Sequence, residues 1–76
     1  MMSEIRNPDV LEWSTISEKK LPVYARIRNL EAKRFELING VIVARPYLAD
    51  FVVFEANGET YDVFKDDIFI DDKLFR

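Results

Sequence analysis

Apolar and polar residues alternate with a period of two along the middle of the chain. The clearest case begins at Pro22, where Val23, Ala25 and Ile27 alternate with polar or aromatic residues. Such alternation is typical of a strand with one buried and one solvated face. It predicts a strand near 22–29.

Two Asn-Gly pairs, Asn39-Gly40 and Asn57-Gly58, lie between short apolar runs. Both residues of such a pair tolerate positive φ, so the pair favours a tight type I′ hairpin turn. Pro46 is expected to end the strand that follows the first pair. The sequence therefore predicts two hairpins, with strands near 34–38, 41–45, 51–55 and 60–64.

Residues 30–38 admit a second interpretation. The run LEAKRFELI could form a helix that Asn29 caps and that Asn39-Gly40 ends. We favour the strand because Asn-Gly between apolar runs is a strong hairpin signal.

A short helical segment is expected at each end of the chain. Asn7-Pro8-Asp9 combines a capping side chain, a proline at the first helical position and an acid in the first turn. Val10, Leu11 and Trp13 would form the apolar face of this helix. The β-branched and serine residues that follow limit it to about two turns, which Lys19 and Lys20 close.

At the other end, Asp66 or Asp67 can cap a helical turn or two. Four apolar residues would pack back from this segment onto the sheet: Ile68, Phe69, Leu74 and Phe75.

These elements predict an all-β fold, or β-rich α+β, that forms a single domain over residues 1–76. Hairpins joined by short turns make a meander, and one this small must curl to bury both faces. The predicted architecture is a five-stranded meander or a partly closed SH3-like barrel with short helical segments at both ends. Seven residues are expected in its core: Phe35, Leu37, Phe51, Val53, Tyr61, Val63 and Phe69.

The composition excludes several kinds of chemistry. The 76 residues include no cysteine and no histidine, so disulfides, Cys/His zinc sites, thiol nucleophiles and histidine acid–base catalysis are excluded. The serines have no histidine to activate them, and two glycines cannot build a phosphate-binding loop. We predict that the protein is not an enzyme and uses no cofactor.

The hydropathy pattern indicates in which cellular compartment the protein is expected. No apolar run approaches the roughly 18–20 residues of a membrane span, and the N-terminal MMSEIRNPDV lacks the apolar core of a signal peptide. We expect a cytoplasmic protein, which agrees with the absence of cysteine.

Charge is distributed unevenly along the chain. Residues 1–49 carry eight Lys/Arg against six Asp/Glu, a net +2, whereas residues 50–76 carry three against eight, a net −5. The densest acids are Asp66, Asp67, Asp71 and Asp72. Their spacing does not match a calcium loop, and adjacent side chains point apart. We interpret them as a candidate surface for a protein partner, with carboxylates placed where the phosphates of a nucleic acid would lie.

A second candidate surface lies on the strand near 22–29. Tyr24, Arg26 and Arg28 share its exposed face, and small barrels bind single-stranded nucleic acid with such a mixture of cations and stacking aromatics. The net charge of −3 is opposite in sign to that of a typical nucleic-acid-binding domain. Nucleic acid is therefore the less favoured partner.

The second half also carries a recognisable series of motifs. Leu48-Ala49-Asp50-Phe51 and Val52-Val53 begin the series, Gly58-Glu59-Thr60-Tyr61 is a hairpin return, and Asp67-Ile68-Phe69 with Phe75 forms a tail. The series resembles the small PGDYG-type domains of phage and prophage proteins, with Leu48-Ala49 in place of their Pro-Gly. Lys20-Leu21-Pro22-Val23-Tyr24-Ala25 is similar to the strand that opens many members. The resemblance implies a phage or prophage origin and a compact β-fold, and it supplies no catalytic residues.

We therefore predict a non-enzymatic, phage-type protein-binding module that contacts a host protein, with inhibition of a host system as one form of that activity. Its location would be the cytoplasm of the host cell. A small nucleic-acid-binding β-barrel is the alternative. The sequence leaves a homodimer open.

Overall fold

The computed structural model describes residues 4–45 and 50–75, with side chains up to residue 73. The predicted strand end at Pro46 and the Leu48-Ala49 pair lie outside the described residues. The main elements are β1 (Ile5–Arg6), α1 (Glu12–Lys19), β2 (Val23–Asn29), β3 (Arg34–Ala44), β4 (Phe51–Ala56), β5 (Glu59–Phe64) and β6 (Ile68–Asp71). Two 3₁₀ turns, Lys65–Asp67 and Asp72–Phe75, flank β6.

All six strands belong to one antiparallel sheet with the order β1-β6-β2-β3-β4-β5. Strands β2 to β5 form the predicted meander, and β6 returns to pair with the free side of β2. The sheet is open, with β1 and β5 at its edges, and it does not close into a barrel. The β-rich fold is confirmed, with six strands instead of five.

The hairpin predicted at Asn57-Gly58 is confirmed. Both residues have positive φ, 54° and 81°, and Ala56 pairs with Glu59 across the turn. This is the geometry that a two-residue type I′ turn requires.

The hairpin predicted at Asn39-Gly40 is wrong, because β3 runs straight through this pair. Gly40 lies opposite Val23 in the ladder with β2. A Cβ at this position would lie 2.6 Å from Cζ of Phe54 and would overlap the carbonyl oxygen of Glu55. The glycine therefore serves close packing against β4, a role that glycine also has within strands.

The strand interpretation of residues 34–38 is confirmed over the helix. The connection before it is a turn in which the Asn29 side-chain oxygen accepts hydrogen bonds from the N–H groups of Glu31 and Ala32, both at 3.0 Å. Lys33 closes the turn with a φ of 55°. Asn29 thus caps a turn and does not start a helix.

In β3, β4 and β6 the core lies on the face opposite to the predicted one, whereas in β5 it lies on the predicted face, where Tyr61 packs against the buried cluster. Val63 is buried as expected, but Phe35, Leu37 and Phe51 are exposed, and Val53, Tyr61 and Phe69 are only partly buried. Strand β4 is apolar on both faces, so its pattern does not say which face turns inward. The buried residues are Trp13, Ile16, Val23, Ala25, Ile42, Val52, Phe54, Ala56, Val63, Ile68 and Ile70.

The N-terminal helix has the expected length but begins later than predicted. Asn7 does not cap it, because its amide donates hydrogen bonds to the carbonyl oxygens of Asp66 and Ile68 at 2.9 and 2.8 Å. Val10 and Leu11 precede the helix and are exposed. Trp13 and Ile16 form the buried face instead, one helical turn apart.

The C-terminal segment is partly different from the prediction. Ile68 and Phe69 lie in β6 and not in a helix, and they pair with Ala25 and Tyr24 of β2. The helical turns are the two 3₁₀ segments on either side. The predicted packing of Leu74 and Phe75 concerns side chains outside the described ones.

Candidate functional site

The four acids of the predicted acidic surface are not equivalent in the structure. Asp67 accepts two hydrogen bonds from Arg26, at 2.7 and 3.1 Å, and Asp72 accepts one from Arg6 at 2.8 Å. Asp71 accepts the backbone N–H of Lys73 at 3.1 Å, and Asp66 is exposed. Arginine side chains of the same chain thus neutralise two of the four carboxylates. The four acids therefore offer a partner less negative charge than their number in the sequence indicates.

Arg6 is the centre of an ion-pair cluster that joins the two ends of the chain. Its guanidinium contacts both carboxylate oxygens of Glu12, at 2.7 and 2.9 Å, as well as Asp72. The hydrogen bonds from Arg6, and a weaker one from the Asp9 N–H, hold the pKa of Glu12 below its ordinary value. The cluster connects β1, α1 and the last 3₁₀ turn, so its role is structural. No group of three or more acids among residues 4–45 and 50–75 is placed to hold a metal ion.

The predicted basic surface lies on β2. Arg26 and Arg28 are exposed and Tyr24 is partly buried. Arg26 pairs with Asp67 and lies over the Phe35 ring, 5.2 Å from its centroid. Arg28 has no ion pair within the described part of the chain. The two predicted surfaces therefore meet at the Arg26–Asp67 pair, where their charges cancel.

An apolar surface that the sequence interpretation missed lies beside this pair. We call it the outer face: Ile5, Phe35, Leu37 and Phe69. Phe35 is 57% exposed, Leu37 53% and Ile5 41%, and the four residues line one shallow groove of about 290 Å³ together with Arg26. The alternation along β3 indicates that Phe35 and Leu37 lie on the same face of the strand. It does not show whether that face is buried or exposed, because this depends on which side of the sheet the core packs against.

No helix in the described ranges is long and apolar enough to cross a membrane. The resemblance to PGDYG-type domains stays a prediction. Comparison with known proteins gave no match to this chain among protein-family models, curated proteins or solved structures.

Proposed function

We propose that this protein is a non-enzymatic, phage-type binding module whose outer face contacts a protein partner. The observation that carries the proposal is the exposure of Phe35, Leu37 and Ile5 on one face of the sheet. Contiguous exposed apolar residues with a polar rim are typical of protein interaction sites.

The surroundings of the outer face support a protein partner. Arg26 covers one side of the Phe35 ring and also pairs with Asp67, so a charged pair borders the aromatic side chain. Glu36 also borders the groove. An apolar centre with charged residues at its border is the composition of a protein interface. Inhibition of a host protein would be the consequence of such a contact in a phage setting.

Single-stranded nucleic acid is the second candidate. Arg28 lies directly opposite Phe35 in the β2–β3 ladder, which places a cation beside an exposed aromatic ring. This combination suits a phosphate and a stacked base. The pairing of Arg26 with Asp67 leaves few cations for a phosphate backbone, so we rank this function second.

The test is affinity capture from bacterial lysate with a matched pair of variants. Phe35→Ser/Leu37→Ser removes the centre of the outer face, and Val10→Ser/Leu11→Ser removes an exposed apolar pair elsewhere. Both should keep the fold, because exposed substitutions change stability little. We expect wild type and the Val10/Leu11 variant to capture the same protein and the Phe35/Leu37 variant to lose it.

Capture that survives in a folded Phe35/Leu37 variant would refute the proposal. A gel shift with single-stranded oligonucleotides separates the two candidates. Micromolar binding by wild type that Arg28→Glu abolishes would favour the nucleic-acid function.

A further inference from the structure

The hairpin of β4 and β5 carries a second exposed apolar site, on the side that faces away from the core. Phe51 and Phe64 lie directly opposite each other in the ladder, so their side chains are on the same face. They are 39% and 66% exposed. Val53 is two residues beyond Phe51 on that face and is partly buried. We call these three side chains the hairpin face: Phe51, Val53 and Phe64.

Two grooves adjoin the hairpin face, and Phe64 lines both of them. The first, of about 180 Å³, is completed by the opposite phenylalanine and Asp62. The second, of about 450 Å³, is completed by Asp50, Lys65 and Asp66. Neither shares a described lining residue with the groove of the outer face. Carboxylates therefore border the aromatic pair in both grooves, at a site separate from the outer face.

The acids near the hairpin face are not occupied by arginine, unlike Asp67 and Asp72. Four exposed carboxylates make no ion pair with any described residue: Asp50, Glu55, Asp62 and Asp66. Two unpaired cations lie nearby, Lys65 in the second groove and Arg28 in a groove that Asp62 also borders. Four carboxylates against two cations leave a net charge of −2 around the aromatic pair.

This charge decides which partner the aromatic pair suits. The phosphates of a nucleic acid or of an anionic lipid would be repelled by the carboxylates. A lysine or arginine would be attracted by them and also by the faces of the phenylalanine rings. Asp62 and Asp66 lie two positions before and two positions after Phe64, so negative charge is available on both sides of the exposed ring.

We propose that the hairpin face binds a basic segment of a partner protein, in which one large apolar residue lies between two lysine or arginine residues. The apolar residue packs on the Phe51–Phe64 pair. One flanking cation pairs with Asp62, and the other pairs with Asp50 or Asp66. The apolar contact supplies affinity, and the charges orient the segment and speed its association. The proposal does not rest on the outer face.

A second copy of the chain fits this site less well. Two hairpin faces packed on each other would bring carboxylates of the same kind together, and like charges repel. The outer face of another copy offers one unpaired cation, Arg28, because Arg26 is paired with Asp67. The hairpin face has carboxylates for two.

The test is an NMR titration of isotope-labelled protein with three synthetic nine-residue peptides. The first has a central phenylalanine and an arginine two positions away on each side, with glycine and serine elsewhere. The second has glutamate in place of both arginines, and the third has serine in place of the phenylalanine. We expect the first peptide to bind about tenfold or more tightly than either of the others. It should shift the amide signals of residues 51–53 and 62–66 and leave those of the outer face unchanged.

A variant of the aromatic pair tests the apolar contact. Phe64→Ser should weaken binding of the arginine peptide about tenfold or more, since exposed aromatic anchors dominate such contacts. Leu30→Ser is the matched control, because Leu30 is 78% exposed and lies elsewhere. It should bind the peptide like wild type. Both substitutions are at exposed positions and should keep the fold.

A pair of charge variants separates a local from a general effect of charge. Asp62→Asn/Asp66→Asn and Glu18→Gln/Glu31→Gln raise the net charge equally, and all four residues are exposed. The aspartate variant should bind the arginine peptide about fivefold more weakly, as expected for the loss of two exposed ion pairs. The glutamate variant should bind it like wild type.

Several results would overturn the proposal. They are absence of binding by the arginine peptide, equal binding by the glutamate peptide, signal shifts on the outer face instead of the hairpin face, and equal losses in the two charge variants. Self-association of wild type that Phe64→Ser abolishes would also overturn it, because the occupant would then be a second copy. The Phe35→Ser/Leu37→Ser variant should bind the arginine peptide normally, so failure of the outer-face proposal is distinguishable from failure of this one.

Discussion

Gly40→Ala should destabilise the protein, although alanine is the better residue in an ordinary strand. Gly40 lies within β3, and its φ is not among the positive values of the described residues. The added methyl group would lie 2.6 and 2.8 Å from two ring carbons of Phe54, and it would overlap the carbonyl oxygen of Glu55. The ring can shift, but the carbonyl is backbone and moves only if β3 and β4 separate.

The size of the effect follows from two opposing terms. Overpacking of a well-packed core costs about 1–3 kcal/mol. Replacing glycine by alanine recovers about 0.5–1 kcal/mol of backbone entropy. We therefore expect a net loss of about 1–2 kcal/mol, a large part of the roughly 5 kcal/mol that stabilises a domain at the low end of the usual range.

Urea unfolding is the suitable assay. With a slope of about 1 kcal/mol per molar urea for a small domain, the midpoint should fall by about 1–2 M. Combining Gly40→Ala with Phe54→Leu should reveal a favourable coupling, because the smaller side chain makes room for the methyl group. The close-packing explanation would be refuted if Gly40→Ala were as stable as wild type. It would also be refuted if the double variant lost the sum of the unfolding free energies that the two single variants lose. Gly58 is the matched control: an added Cβ meets nothing within 4 Å there, so any cost arises from its positive φ alone.

Two further predictions follow from the structure. Phe54→Ala should lower the free energy of unfolding by about 3–5 kcal/mol, because its side chain is buried. Phe51→Ala changes an exposed position of the same strand and should lower it by less than about 1 kcal/mol. Equal losses in chemical denaturation would contradict the assignment of the core face of β4. Glu12→Gln should destabilise the protein at pH 7 but much less near pH 3. The contact with Arg6 lowers the folded-state pKa of Glu12, so the carboxylate contributes its stabilisation above its unfolded pKa of about 4.3 and loses it as pH falls through the folded value. Urea midpoints that differ by the same amount at both pH values would contradict this.

The two Asn-Gly pairs show what local sequence can and cannot predict about the fold. Both have the same residues and apolar flanks, yet only Asn57-Gly58 turns. At Asn39-Gly40 a contact with Phe54, far along the chain, overrides the local preference. The period-two alternation predicted the bounds of β2 and β5 to within about one residue, because it reflects which residues of a single strand are buried. It could not place β6, whose partner strand is distant in sequence.

The candidate sites show a similar limit. Charge and spacing correctly placed Arg26 and Arg28 on the exposed side of β2. The same reasoning treated Asp67 as part of a separate surface, because the Arg26–Asp67 pair joins residues 41 positions apart. The sequence interpretation missed the outer face because Phe35 and Leu37 are large apolar residues, which are expected in the core when only the residue type is known. Only the packing of the opposite face of the sheet shows that they are exposed.

The connection between the two ends of the chain has a consequence for synthesis on the ribosome. Arg6 and its partner Asp72 are 66 positions apart, and β1 pairs only with β6 among the described strands. At about 5–20 residues per second, the N-terminal strand and the helix that follows it are made several seconds before their partners exist. Strand β2 cannot gain its second partner until β6 has been made, so one side of β2 stays unpaired at first. Strand β6 therefore completes the sheet, and a chain truncated before residue 68 would present an unpaired β2 edge to chaperones and proteases.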